Sequence, residues 1–180
     1  MKKLLLHSCC APCSSSVLEQ LVSQFAVTVY YYNPNIYPPN EYFKRLAEQK
    51  KLLHYASFGQ TVKLLEGTYN PNVFTTAVES LKTEPEGGTR CAKCFKLRLK
   101  ETAKMCENLS IDCFATTLSV SPHKNANAIN EIGLKVSKQT NISYLACNFS
   151  EKNGFKRSAE LAQKYNLYRQ NYCGCIYSKK

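Results

Sequence analysis

Six cysteines stand in three short clusters, Cys9-Cys10, Cys91-x-x-Cys94 and Cys173-Gly174-Cys175. Thiolates are the ligands of soft metals, and four of them are what a cubane iron–sulfur cluster or a structural zinc requires. Zinc sites usually take two CxxC hairpins, whereas the side chains of adjacent residues such as Cys9 and Cys10 point apart and suit separate irons. The spacing therefore favours a 4Fe-4S cluster, with zinc and a purely thiol-based redox system left open. Cys13 completes a CCxxC with the first pair and is a further candidate ligand. Cys106, Cys113 and Cys147 fall singly in apolar segments and read as small core fillers.

Other chemistries have less support. There is no HExxH and no cysteine–histidine finger, so His7 and His54 read as structural. His123 beside Lys124, in a strand-end loop, is a candidate contact for an anionic substrate. Neither a phosphate-cradling GxxxxGK(S/T) nor an SGGxD-like first loop occurs, so no nucleotide cofactor is expected.

Lys and Arg number 24 against 13 acidic residues in 180, for a formal charge of +11, which nominates a polyanion such as nucleic acid as partner. The apolar start Leu4-Leu5-Leu6 is too short for a signal core of about 7–15 residues, and no later run nears the ~18 residues of a membrane span. A cytoplasmic protein without membrane attachment is the expectation. In that reducing compartment, ten cysteines are better explained by metal or redox chemistry than by structural disulfides.

The elements that must position these thiols follow from periodicity. Strands are expected at residues 4–7, 26–32, 61–65, 112–118 and 143–147. Helices are expected at 14–25, with a capping box at Ser16 and Glu19, and at 40–58, with Phe43, Leu46, Ala47, Leu53 and Ala56 inward. Further helices fit near Ala77, over 91–109, up to Lys138 and around Leu161. The alternation predicts a three-layer α/β/α Rossmann-like (HUP-like) fold with a mostly parallel sheet of about five strands, residues 1–180 forming one domain. Cys9, Cys10 and Cys13 then sit in a strand-to-helix turn, where open α/β sheets build their sites. Cys91 and Cys94 sit at a helix start, whose dipole favours ionised thiols.

Several blocks together resemble the cobalamin-independent epoxyqueuosine reductase family of QueH type. They are His7-Ser8-Cys9-Cys10-Ala11-Pro12-Cys13, Tyr32-Asn33-Pro34-Asn35-Ile36, Glu86-Gly87-Gly88-x-Arg90-Cys91-x-x-Cys94-Phe95, Thr116-Thr117-Leu118-Ser119-x-Ser121-Pro122-His123-Lys124 and Tyr168-Arg169-Gln170-Asn171-Tyr172-Cys173-Gly174-Cys175. The resemblance implies reduction of epoxyqueuosine to queuosine at the wobble position of tRNAs for Asp, Asn, His and Tyr, the last step of queuosine biosynthesis. It implies a 4Fe-4S cluster held by Cys9, Cys10, Cys91 and Cys94. Cys173 and Cys175 would be a redox-active pair able to close to a disulfide, or would hold an additional mononuclear iron. An external electron donor would be required and cobalamin would not. A single-stranded anticodon loop is held by phosphate contacts and by stacking of splayed bases, for which Arg90, His123, Lys124, Arg157, Tyr168, Arg169 and Tyr172 are the candidates. The resemblance implies that some relatives carry an acidic residue where this chain has Cys13, which leaves the ligand set of the first turn open. The competing classes are a zinc-stabilised RNA-binding module and a tRNA sulfur-transfer enzyme; the missing phosphate loop weighs against the latter.

Overall fold

The first strand, β1 (Lys2–His7), alternates between the two sides of the sheet: Leu4 and Leu6 face one layer, Leu5 and His7 the other. All three leucines are fully buried, as expected of a central strand in a parallel sheet covered on both faces. The computed structural model describes residues 1–151 and 153–178. β2 (Phe25–Tyr31), β3 (Lys63–Glu66), β4 (Cys113–Thr116) and β5 (Ser143–Tyr144) complete a five-stranded sheet in the order β3-β2-β1-β4-β5, every pairing parallel. Chain order reverses between β1 and β4, which makes the crevice beyond their carboxyl ends the topological switch point.

α1 (Ala11–Leu21), α2 (Pro39–Tyr55) and α6 (Gly154–Lys164) cover one face. There Leu4, Leu6, Val27 and Val29 pack with Val17, Leu18, Leu52 and Ala162. α4 (Thr89–Leu109) and α5 (Ala126–Thr140) cover the other, where Leu5, Tyr30 and Phe114 meet Leu99, Ala103, Cys106 and Val136. The short helix α3 (Pro71–Ala77) precedes α4. No helix among the described residues is long and apolar enough to cross a membrane.

Two expectations are corrected. α1 begins at Ala11, with Cys10 as its N-cap residue and no side-chain cap, so Cys13 lies inside the helix and the capping box at Ser16 and Glu19 does not form. Ala11-Pro12 suits a first turn, where proline's missing N–H costs nothing. The inward face of α2 is only partly the expected one: Leu46 and Ala56 are buried and Leu53 packs against the core, but Phe43 is 57% exposed, Ala47 is exposed, and Tyr42, Arg45, Gln49 and Leu52 are buried in addition. Arg45 and Gln49 take the inward positions because the site beneath needs their hydrogen bonds.

Leu5→Ala is expected to lower the unfolding free energy by about 2–5 kcal/mol. Leu109→Ala, at a position 44% exposed at the end of α4, should stay within about 0.5 kcal/mol, and urea titrations of both variants read the difference.

Candidate metal centre at the switch point

The turn leaving β1 is fixed by polar groups rather than by packing. Ser8 N–H continues the sheet by donating to the Tyr30 carbonyl at 3.0 Å, and Asn33 Nδ2 donates to the Ser8 carbonyl at 2.8 Å. The Ser8 and Ser14 hydroxyls both donate to Gln49 Oε1, at 2.7 and 2.9 Å, which ties turn, α1 and α2 together. Cys9 N–H donates to Thr117 Oγ1 at 3.2 Å, across the switch point. The result is a group of three thiols, Cys9, Cys10 and Cys13, whose sulfurs all lie within 4.8 Å of one another.

Within this group Cys9 is the thiol that ionises most readily. Hydrogen bonds from Cys10 and Cys13 hold it well below the usual thiol range against the opposing effect of burial, and Lys124 and Thr117 help. Cys10, although it accepts from Cys13, donates to Cys9 and is buried, and goes up to about 12. Cys13 donates to both and also rises. Such a set is suited to a soft cation, which would displace the two retained protons.

Cys91 and Cys94 open α4 and line a small cavity with Cys173 and Cys175, together with Asn35, Phe74, Arg90, Phe95 and Arg98. Cys9 and Cys91 both pack against one apolar cluster of Phe95, Leu118 and Ile129, so the first and middle thiol groups flank it, while the sulfurs that lie within 4.8 Å of one another are those of Cys9, Cys10 and Cys13. Burial raises both middle thiols, Cys94 to about 12, although Gly87 N–H donates to Cys91 Sγ at 3.2 Å and Arg98 opposes the shift at Cys94. The expectation that a helix start would ionise them is thus overturned by desolvation.

The tail reaches the cavity because α2 grips its backbone. Arg45, oriented by Glu41 at 2.7 Å, donates to the Cys173 and Tyr172 carbonyls at 3.1 and 3.3 Å, while Tyr37 N–H donates to the Gly174 carbonyl at 2.8 Å. Gly174 has φ +122°, and a Cβ there would meet Arg45 Nη1 and Ile36 Cγ1 at 3.0 Å, so CGC needs its glycine. All ten cysteines are free thiols.

The donor set fits a thiolate-bound metal group, which is negatively charged. Buried polar atoms around the cavity make no hydrogen bond among the described residues: Arg98 Nη2, Arg90 Nε and Asn35 Oδ1. Arg98 is 1% exposed; burial would lower its pKa, but the charges on Cys94, Cys173 and Cys9 raise it. Two guanidinium groups with free N–H bonds beside four sulfurs suit an anionic occupant.

The residues expected around RNA fare differently. Lys124 is half-buried; burial opposes its charge, but Cys173, Cys9 and Cys13 outweigh that and keep it an ammonium. His123 is exposed nearby in sequence. Arg90 is buried and staples the loop before α4 through the Leu81, Lys82 and Glu84 carbonyls. Arg157 joins α6 to α1 through Glu19, at 2.7 and 2.8 Å. Tyr168 bonds Glu41 and Glu48, Tyr172 bonds the Tyr37 carbonyl, and Arg169 is exposed beside α6. Arg45, Gln49 and Arg98 escaped sequence reading; the signal available was their four-residue spacing from one another or from Cys94.

A family model described as epoxyqueuosine reductase QueH matches residues 4–180. The epoxyqueuosine reductase QueH of Streptococcus pyogenes serotype M1 is 44% identical over 98% of this chain and 70% of its own. The protein of that name from Staphylococcus epidermidis is 41% identical over 98% and 76%, and that from Thermotoga maritima 32% identical over 99% and 91%.

His7 supports the site from below. It is fully buried, with Nε2 3.1 Å from the Tyr32 carbonyl and Nδ1 3.0 Å from Thr116 Oγ1, an arrangement that suits the neutral ring donating from Nε2. Burial, then the Arg98 charge, lower its pKa to about 3. Below about pH 6.5 the unfolded chain therefore takes up a proton that the folded one refuses, and stability falls by about 1.4 kcal/mol per pH unit. Between about pH 7 and about pH 5, wild-type unfolding free energy should fall by about 2 kcal/mol more than that of His7→Gln, as read by urea denaturation; equal falls would refute the assignment.

Proposed function

We propose, since this chain belongs to the epoxyqueuosine reductase QueH family, that it reduces epoxyqueuosine to queuosine in tRNA, at the wobble position, with electrons from an external donor. The observation that supports the reading is a cavity lined by Cys91, Cys94, Cys173 and Cys175 beside guanidinium groups with unpaired N–H, with the Cys9, Cys10 and Cys13 group at the β1/β4 switch point flanking the same apolar cluster as Cys91. The same reading puts the protein in the cytoplasm, where its RNA substrate is.

The ligand set we favour is Cys9, Cys10, Cys91 and Cys94 around a 4Fe-4S cluster. When bound, that group supplies electrons singly and offers iron as a Lewis acid to the departing oxygen. Opening the epoxide and expelling its oxygen as water consumes two electrons and two protons. The Cys173–Cys175 dithiol carries that complement and releases it on closing to a disulfide. Lys124, charged and half-buried near Cys9 and Cys173, stabilises negative charge on the leaving oxygen. Arg98 offsets the charge of the thiolates and keeps the cavity hospitable to an anion. The closeness of Cys13 to Cys9 and Cys10 favours a second version of the centre, in which Cys13 joins the ligands or helps to hold an additional mononuclear iron.

Protein purified without oxygen should be brown and contain iron and acid-labile sulfide. With a low-potential reductant it should convert tRNA from cells that accumulate epoxyqueuosine into queuosine-containing tRNA, as measured by nucleoside mass spectrometry. Cys91→Ala is expected to lose cluster and turnover together, whereas Cys173→Ala keeps most of the iron and loses turnover. A colourless protein with near-stoichiometric zinc would sink the proposal, and a fully active Cys173→Ala variant would remove that thiol from it.

A further inference from the structure

The outward face of α4 carries Lys93, Lys96, Lys100 and Lys104, all exposed. Steps of three, four and four residues keep them within about 80° of arc, opposite the face that buries Cys94, Arg98 and Thr102, and spread them over about 16 Å of helix. None of the four forms an ion pair within 4 Å among the described residues, so all four charges are free to meet a polyanion. Glu101, beside the stripe, is half-buried and close enough to Tyr30 and Tyr32 to disfavour their ionisation; Glu107 is the acidic group exposed on the lysine side. Like charges at this spacing destabilise a helix, so the stripe is a cost to the free protein that a polyanion lying along it would remove.

We propose that this face docks the phosphate backbone of the RNA flanking the reacting nucleoside, an inference that rests on the tRNA-reductase reading and specifies how that substrate is held. The separation of successive lysines, about 4.5–6 Å along the axis, is comparable with the step between phosphates of one strand. The stripe starts in the same turn as Cys91 and Cys94, so a strand laid on it leads to the thiol cavity. A bilayer is the poorer occupant: Leu109, at the far end, is the one large apolar side chain of α4 that is well exposed, and a membrane-surface helix needs an apolar face to bury.

The test uses anaerobically purified holoprotein in which all four lysines are replaced, K93A, K96A, K100A and K104A; alanine keeps the helix. Each phosphate contact contributes about 0.7–0.9 to the slope of log affinity against log salt, so the slope for tRNA should become shallower by about 3. KM for tRNA should rise at least tenfold while kcat at saturating tRNA holds. The control Lys135→Ala with Lys138→Ala, exposed on neighbouring α5, should leave both unmoved. An unchanged salt slope, or a fall in kcat at constant KM, overturns the docking face while a wild type that still turns over tRNA leaves the reductase reading standing. A wild type that leaves epoxyqueuosine in tRNA untouched overturns that reading and the docking face with it.

Discussion

A positive charge buried without a carboxylate beside it is the constraint around which the site is built. Arg98 is fully buried on α4, its nearest acceptors are the Cys94 carbonyl at 3.4 Å and Asn33 Oδ1 at 3.5 Å, and Nη2 has none. Such a group is tolerable in a protein interior only if negative charge is close. Its available counter-charges are the sulfurs of Cys94, Cys173 and Cys9, one from each thiol cluster. Cation and sulfurs therefore depend on each other: burial penalises the charge of each, and a cation beside them favours loss of the thiol protons and suits the cavity to an anion.

Bringing three remote segments to that charge is a task for backbone hydrogen bonds. The first thiols follow from β1, whose end is fixed in register with β2 and β4. The middle pair follows from the start of α4, which the Arg90-stapled loop delivers. The last pair has no strand or long helix of its own and is placed by Arg45, Tyr37 and the left-handed-side conformation of Gly174.

Much of this was legible in the sequence. The apolar and β-branched runs marked all five strands, and the strand–helix alternation implied a parallel sheet. The strands ran long where they meet the site: residues 117 and 118 form a 3-10 turn rather than the end of β4, because Thr116 Oγ1 accepts from Leu118 N–H and bends the chain. Clustered thiols pointed to a metal centre because cysteine pairs have few other uses in a reducing compartment. What resisted reading was polar burial. Arg45 and Gln49 looked like the solvent side of α2, since hydrophobic periodicity cannot register a helix face that is buried to make hydrogen bonds. Arg90 and Arg157 looked available to RNA, yet one is occupied by carbonyls and the other by Glu19 and Glu160.

The two buried polar residues of α2 lie a single helical turn apart, and one grips the β1–α1 turn while the other grips the tail. The helix consequently acts as a ruler: the gap between the first and last thiol clusters is set by about 6 Å of helical rise, not by the length of any connection. Connections elsewhere, such as those joining α5 to β5 or β5 to α6, can lengthen or shorten between homologues without retuning the centre. A one-residue insertion between Arg45 and Gln49 would rotate one grip away from the other by about 100° and pull the site apart.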